Sequence, residues 1–157
     1  MMPSMPTLPD DLCYLEGRYQ RLCDARVSVL DRGFIFGDGV YEVVPVYGGK
    51  FFRFEEHLQR LARNLAKVQI TPPHRTREQW LELMRPLVAS LKQSQGADDQ
   101  LLYLQVSRGV ALRDHVMPRD IEPTLFMMTT PMKAASPEQR HTGVTCITAR
   151  DFSLGAW

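Results

Sequence analysis

Three short stretches of this 157-residue chain carry residues whose types and spacing suit chemistry. The first is DRGFIFGDGVYE, Asp31 to Glu42, where Gly33, Gly37 and Gly39 interrupt acidic and aromatic residues ahead of a strand. Glycines so placed allow tight turns or close approach of the backbone to a ligand. A strained turn between two strands is the plainer reading. The second is EEHLQRL, which sets His57, Arg60 and Asn64 on the polar side of a helix. A planar guanidinium there can clamp a phosphate, and it can equally be solvated. The third is SRGVALRDH, where Arg108, Arg113 and His115 crowd one loop after an apolar strand. Such cations suit a carboxylate, because arginine can hold both oxygens and histidine adds a donor. A solvated basic loop has the same composition.

The elements that must position these residues follow from periodicity. CYLEGRYQRL alternates around Glu16-Gly17 and predicts a short hairpin leading into ARVSVLDRG, where strand is the preferred state. GVYEVVPVYGGKFFRF predicts two strands around Gly48-Gly49. Pro45 cannot donate to a ladder, so that strand should lie near an edge or bulge. From Glu55 to about Val68 the period becomes helical: Leu58, Leu61, Ala62 and Leu65 recur on one side, and Glu55 and Glu56 favour the N-terminal end. A second helix starts at Thr76, whose spacing to Gln79 fits a capping box, and should bury Trp80, Leu81, Met84, Val88 and Leu91. Pro86 should kink it or end its first half.

Beyond a turn at Gly96 to Asp99, LLYLQVSRG and TLFMMTT predict strands on either side of a polar loop, Gly109 to Glu122. PMKAASPEQR reads as a linker and GVTCITAR as one further strand. Strands, then two helices, then strands define an α+β class rather than alternating βαβ units. The expected division is a flexible Pro-rich arm over 1–12, an α+β domain over 13–132, a linker over 133–140, and the first strand of a truncated second domain over 141–157.

Charge and composition exclude several functions. The 19 basic and 18 acidic residues nearly cancel, which leaves no global pull toward nucleic acid or an anionic membrane. Hydrophobic residues at 44% and charged residues at 24% exclude a disordered chain. The opening MMPSMPTLPDD lacks a basic start followed by an apolar run, and no later stretch is long enough to span a bilayer, so a cytoplasmic protein is expected. Cys13, Cys23 and Cys146 lack metal-ligand spacing and read as reduced thiols, with no metal site expected.

In combination and in order, the three stretches resemble the class IV, or fold-type IV, pyridoxal-phosphate-dependent aminotransferases, especially the D-amino acid transaminases. DRGFIFGDGVYEVVPVYGGKFFRFEEHLQRL is similar to that family's N-terminal region almost throughout, and the resemblance runs from about Cys13 onward. It implies a two-domain fold with pyridoxal 5'-phosphate between the domains, and a homodimer whose sites borrow residues across the interface. Arg60, matching the arginine of the family's HxxRL stretch, would hold the cofactor phosphate, and Glu42 would lie beside the cofactor. The RGxxxRxH pattern, Arg108 to His115, resembles the D-amino acid branch, in which the RxH residues trap the substrate carboxylate. Arg113, His115 and Tyr41 take that role by the match, and Val43 a place near the substrate side chain. The implied reaction moves an amino group between a D-amino acid such as D-alanine and a 2-oxo acid such as 2-oxoglutarate.

One part of the pattern is missing. The family's reaction needs a lysine that holds the cofactor aldehyde as a Schiff base and shuttles the substrate proton. In the family it follows the first strand of the second domain, in a stretch resembling RWxxCDIKS. Here GVTCITARD is followed by FSLGAW. Lys50, Lys67, Lys92 and Lys133 fall in predicted turn, helix or linker and read as solvated. The expectation is a chain without the Schiff-base lysine, inactive alone and unable to hold the cofactor stably. Two other readings stand beside it: a non-catalytic dimerisation or interaction module, and the same fold with amine transaminase or aminodeoxychorismate-lyase-like activity.

Overall fold

The computed structural model describes residues 9–72 and 76–149. The hairpin around Glu16-Gly17 forms as expected, from Leu12–Leu15 (β1) and Arg18–Arg21 (β2). The strand expected in ARVSVLDRG does not form. Leu22–Asp24 makes a turn of 3-10 helix, residues 25–30 join no ladder, and Arg32–Phe36 (α1) is a short helix. The cause is Asp31, whose buried carboxylate accepts from Gly33 N at 2.7 Å and so caps α1. Gly37 ends the helix at φ 65°, a conformation that needs no Cβ.

Gly39–Tyr47 (β3) and Lys50–Phe51 (β4) turn at Gly48-Gly49. Pro45 lies near an edge, as its chemistry requires. Its carbonyl accepts from Phe52 N at 2.8 Å on the β4 side, so the missing N–H faces that side and not the long ladder to the neighbouring strand. Phe54–Lys67 (α2), Arg77–Gln95 (α3), Gln100–Ser107 (β5), Thr124–Pro131 (β6) and Pro137–Thr142 (α4) complete the order. The strands form one antiparallel sheet in the order β2-β1-β6-β5-β3-β4, so the α+β class holds.

Alternation along the strands sends Val44, Val46, Leu102, Leu104, Val106, Leu125 and Met127 to one face, where α2 and α3 cover them with Leu61, Leu65, Trp80, Met84 and Val88. Burying this apolar surface is the main favourable term of the fold. Ala62, expected on the buried side of α2, is exposed, because α2 and the start of α3 leave an open groove between Leu58, Ala62 and Trp80. α3 opens with the expected Thr76-Gln79 capping box and buries all five expected residues. It runs through Pro86 without ending. Proline removes a single backbone donor there, and Trp80, Leu81 and Met84 before it, with Leu87, Val88 and Leu91 after it, hold both halves on the sheet.

The two ends depart further from expectation. PMKAASPEQR is not all linker, since Ser136 and Gln139 form a capping box that starts α4. Residues 143–149, expected as strand, are exposed and join no ladder, because no described strand lies beside them to pair with. The last residue of GVTCITAR and the FSLGAW end lie outside the described residues, as do residues 1–8 of the arm. The end of that arm is held: Leu22 N donates to Asp11 O at 2.8 Å and Gln95 Nε2 to Asp11 Oδ1 at 2.7 Å. Among the described residues no helix is long and apolar enough to cross a membrane.

The second face of the sheet carries Tyr41, Val43, Leu101, Tyr103, Gln105, Phe126 and Met128, and α2 and α3 do not cover it. At its Ser107 end it meets the turn around α1, leaving a cavity of about 310 Å³ lined by Val27, Phe34, Gln105 and Phe126. The polar loop leaves β5 through Gly109, whose φ is 111° and where an added Cβ would run into the Glu122 carbonyl. Gly109→Ala should therefore destabilise the chain by at least about 1–2 kcal/mol. Urea unfolding followed by circular dichroism measures it, with unchanged stability as the contrary outcome.

Candidate active site

Arg60 reaches from α2 toward β3, and Glu42 meets it from the helix-facing side of that strand. Glu42 is 3% exposed, and its oxygens accept from Arg60 Nε at 2.5 Å and Arg60 Nη2 at 2.7 Å. His57, one turn earlier on the same helix face, places Nδ1 2.9 Å from Glu42 Oε2. Burial pushes the Glu42 carboxyl upward, and hydrogen bonds from Arg60 and His57 outweigh it, holding the group below the usual glutamate range. The pair is thus a charged, bidentate clamp. The Arg60 side chain stays 53% exposed, so its remaining N–H groups are open to a ligand. Among the described residues β4 pairs only with Val46 and Tyr47, which leaves β3 an open edge beside Glu42.

Tyr41 and Val43 point to the other face of β3. Tyr41 is 63% exposed and stacks on Tyr103, with ring centres 5.8 Å apart and planes at 22°. Tyr103 in turn donates its hydroxyl to Gln105 Oε1 at 2.8 Å. Sequence reading did not single out Tyr103 and Gln105. Alternation in QLLYLQVS puts them on one face, and only the register opposite Val43 and Tyr41 shows that it is this one.

Arg108, Arg113 and His115, which spacing groups on one loop, are held differently, although Arg108 and His115 line one cavity. Arg108 is buried and makes four hydrogen bonds: Nε and Nη2 donate to Asp38 at 2.7 and 3.0 Å, Nη1 to Gln69 O at 3.1 Å, and Nη2 also to Val68 O at 2.6 Å. Arg32 donates to the same Asp38 carboxylate at 2.8 Å. Arg113 and His115 are exposed and pack on Phe36, with the Arg113 guanidinium carbon 5.6 Å from its ring centre and the His115 ring at 5.8 Å. Among the described residues no hydrogen bond, ion pair or ring contact joins either of them to Tyr41. Asp31 is also more than a turn residue. It accepts hydroxyls from Ser107 and Thr124 at 2.9 and 2.6 Å, tying α1 to β5 and β6.

The family model for amino-transferase class IV matches residues 39–156. The chain belongs to the class IV aminotransferases. The D-alanine aminotransferase of Listeria monocytogenes serotype 1/2a (strain 10403S) is 41% identical over 131 residues, 82% of this chain and 43% of that protein. The D-alanine aminotransferase of Staphylococcus aureus (strain N315) is 37% identical over 117 residues, 74% of this chain and 40% of that protein. The crystal structure of 4-amino-4-deoxychorismate lyase from Pseudomonas aeruginosa superposes with a TM-score of 0.65 at 30% identity, covering 85% of this chain and 44% of that one. The branched-chain amino acid aminotransferase of Escherichia coli gives 0.64 at 16% identity, covering 78% and 41%, a likeness of fold alone. This chain spans less than half the length of each of these relatives.

Membership in the class IV aminotransferases implies pyridoxal phosphate. The residues fit its phosphate: Arg60 is oriented by Glu42 and His57 and keeps donors free at an open strand edge. Glu42 faces the helices and has both oxygens bonded to Arg60 and His57, which orients Arg60. Lys50, Lys67, Lys92 and Lys133 are all exposed, and Lys92 pairs with Asp98 at 2.8 Å. Cys13, Cys23 and Cys146 are free thiols.

Burial pushes Asp38 upward as well, and its hydrogen bonds from Arg108 and Arg32 overcome this and hold it below the usual aspartate range. The stability it contributes is full above the unfolded aspartate pKa of about 4 and disappears as pH falls through the lower folded value. Asp38→Asn leaves two buried guanidinium groups without their carboxylate and should cost about 3–5 kcal/mol at neutral pH. It should also flatten the loss of stability below about pH 4. Urea titrations across the acid range distinguish this from a variant that runs parallel to wild type.

Proposed function

We propose that this chain is the N-terminal half of a pyridoxal-phosphate-dependent transaminase that moves an amino group between a D-alanine-like D-amino acid and a 2-oxo acid. The observation that supports this is Arg60, held by Glu42 and His57 at the edge of the strand whose other face carries Tyr41 and Val43. In this reading Arg60 binds the cofactor phosphate, and Glu42 and His57 fix its fork. Tyr41 directs its hydroxyl to the substrate carboxylate, while Val43 bounds the space for the substrate side chain. Arg113 and His115 meet that carboxylate from a second copy of the chain, which accords with their lack of contact with Tyr41 in one copy. The protein is thus a homodimer, and free thiols accord with a cytoplasmic place of action. Pyridoxal phosphate supplies the electron sink that makes the Cα proton of a bound amino acid removable.

The lysine that binds the cofactor belongs, in this proposal, to a second domain that lies beyond α4. The lysines present are exposed and none contacts Arg60, Glu42 or Tyr41. This chain alone is therefore inactive and holds the cofactor weakly. The 30% identity to a 4-amino-4-deoxychorismate lyase supports a second reading, lyase activity on the same fold, against which the Arg113 and His115 pattern speaks.

Purified chain mixed with pyridoxal phosphate should give no lysine-dependent absorbance band and no D-alanine turnover, and the complete protein should give both. A band with turnover in the isolated chain sinks the lysine assignment. In the complete protein Arg60→Ala should weaken cofactor binding roughly tenfold to a hundredfold, the cost of a charged hydrogen-bonding contact of about 1.5–3 kcal/mol. Turnover of L-amino acids over D-amino acids, or lyase product, would overturn the substrate reading.

A further inference from the structure

A group that recognises a carboxylate works only when held close to its productive geometry. Arg113 and His115 sit on an exposed loop, yet that loop is fastened at two points by one residue. The backbone N–H of Arg32 donates to Gly109 O at 2.9 Å, where the loop leaves β5. The side chain of Arg32 donates from Nη1 to Asp114 O at 2.9 Å, between Arg113 and His115. Arg32 is 5% exposed, and its guanidinium carbon lies 4.6 Å from the ring centre of Phe36, the ring on which Arg113 and His115 both pack.

We propose that Arg32 is the positioning residue of the Arg113–His115 loop. The function rests on the reading above, in which those two residues bind a substrate carboxylate. A planar guanidinium suits the task because Nε and Nη1 point to different partners: Nε is spent on Asp38 at 2.8 Å, and Nη1 remains for the loop carbonyl. An ammonium at this position lacks the rigid fork that aims one donor at Asp38 and another at the Asp114 carbonyl. The same Asp38 receives Arg108, whose other donors hold the Val68 and Gln69 carbonyls at the C-terminal end of α2. The loop and the helix that carries Arg60 are thereby referred to one carboxylate.

Two measurements on Arg32→Lys, with Arg32→Gln beside it, test the proposal. In this chain, amide hydrogen exchange over residues 110–117 should accelerate about tenfold relative to wild type, the loss of a contact of about 1.4 kcal/mol, while the amides of β5 and β6 keep their protection. Unchanged exchange over 110–117, or equal acceleration throughout the sheet, overturns the positioning role. In the complete protein, the ratio of kcat/KM for D-alanine to that for D-alaninol, which lacks the carboxylate, should fall by about tenfold. A localised exchange effect with that ratio unchanged overturns the carboxylate role of the loop. Absence of transamination in the wild-type complete protein overturns the proposed function, and the exchange experiment still decides what Arg32 holds.

Discussion

A carboxylate as enclosed as Asp38 is costly to keep charged unless positive groups meet it, and the chain supplies two from distant segments: Arg32, at the start of α1, and Arg108, at the end of β5. That requirement organises the end of the molecule where the candidate site lies. It brings the turn around α1 against the last residues of β5 and sets the exit of the polar loop. Through the other donors of Arg108 it anchors the C-terminal end of α2. Asp31 acts alongside it by binding hydroxyls from β5 and β6. Two acidic residues in a glycine-punctuated turn are therefore the points at which several elements are joined.

The same logic separates the two faces of β3. Glu42 points toward the helices and is paired with Arg60 and His57, while Tyr41 and Val43 point to the uncovered face. The carboxylate that holds Arg60 and the exposed Tyr41 are thus carried by neighbouring residues of one strand, because successive side chains alternate across a sheet. The open edge of β3 beyond the two-residue β4 keeps backbone from crowding Arg60. Apolar and aromatic side chains, Tyr41, Tyr103 and Phe126 among them, lie on the face that α2 and α3 leave uncovered.

Much of this was legible in the sequence. The capping box at Thr76, the helical period after Glu55, the glycine turn at Gly48-Gly49 and the strand before Ser107 are local signals, and each element formed where its pattern placed it. The failures share a cause as well. The strand expected in ARVSVLDRG gave way to α1 because the partners of Asp31 in β5 and β6 lie 76 and 93 residues away. Residues 143–149 have strand-forming side chains and no neighbouring strand among the described residues, and a strand is defined by its partner. Pro86 was tolerated because burial on both sides of it outweighs one lost donor.

Residue types, spacing and order sufficed for the α+β class, the resemblance to the class IV aminotransferases, and the marking of Arg60, Arg113 and His115, while Tyr41 was named through that resemblance. Those are properties of short segments, where the period and the chemical type are visible without knowing what the segment touches. Tertiary structure alone decided that Arg108 is a buried structural cation, that Glu42 orients Arg60, that Tyr103 stacks on Tyr41, and that Arg32 seats the loop of Arg113 and His115. Each of these depends on a partner at least 18 residues away in the chain. Which charges pair, and which stay free to meet a ligand, is set by packing and burial, and composition does not encode it.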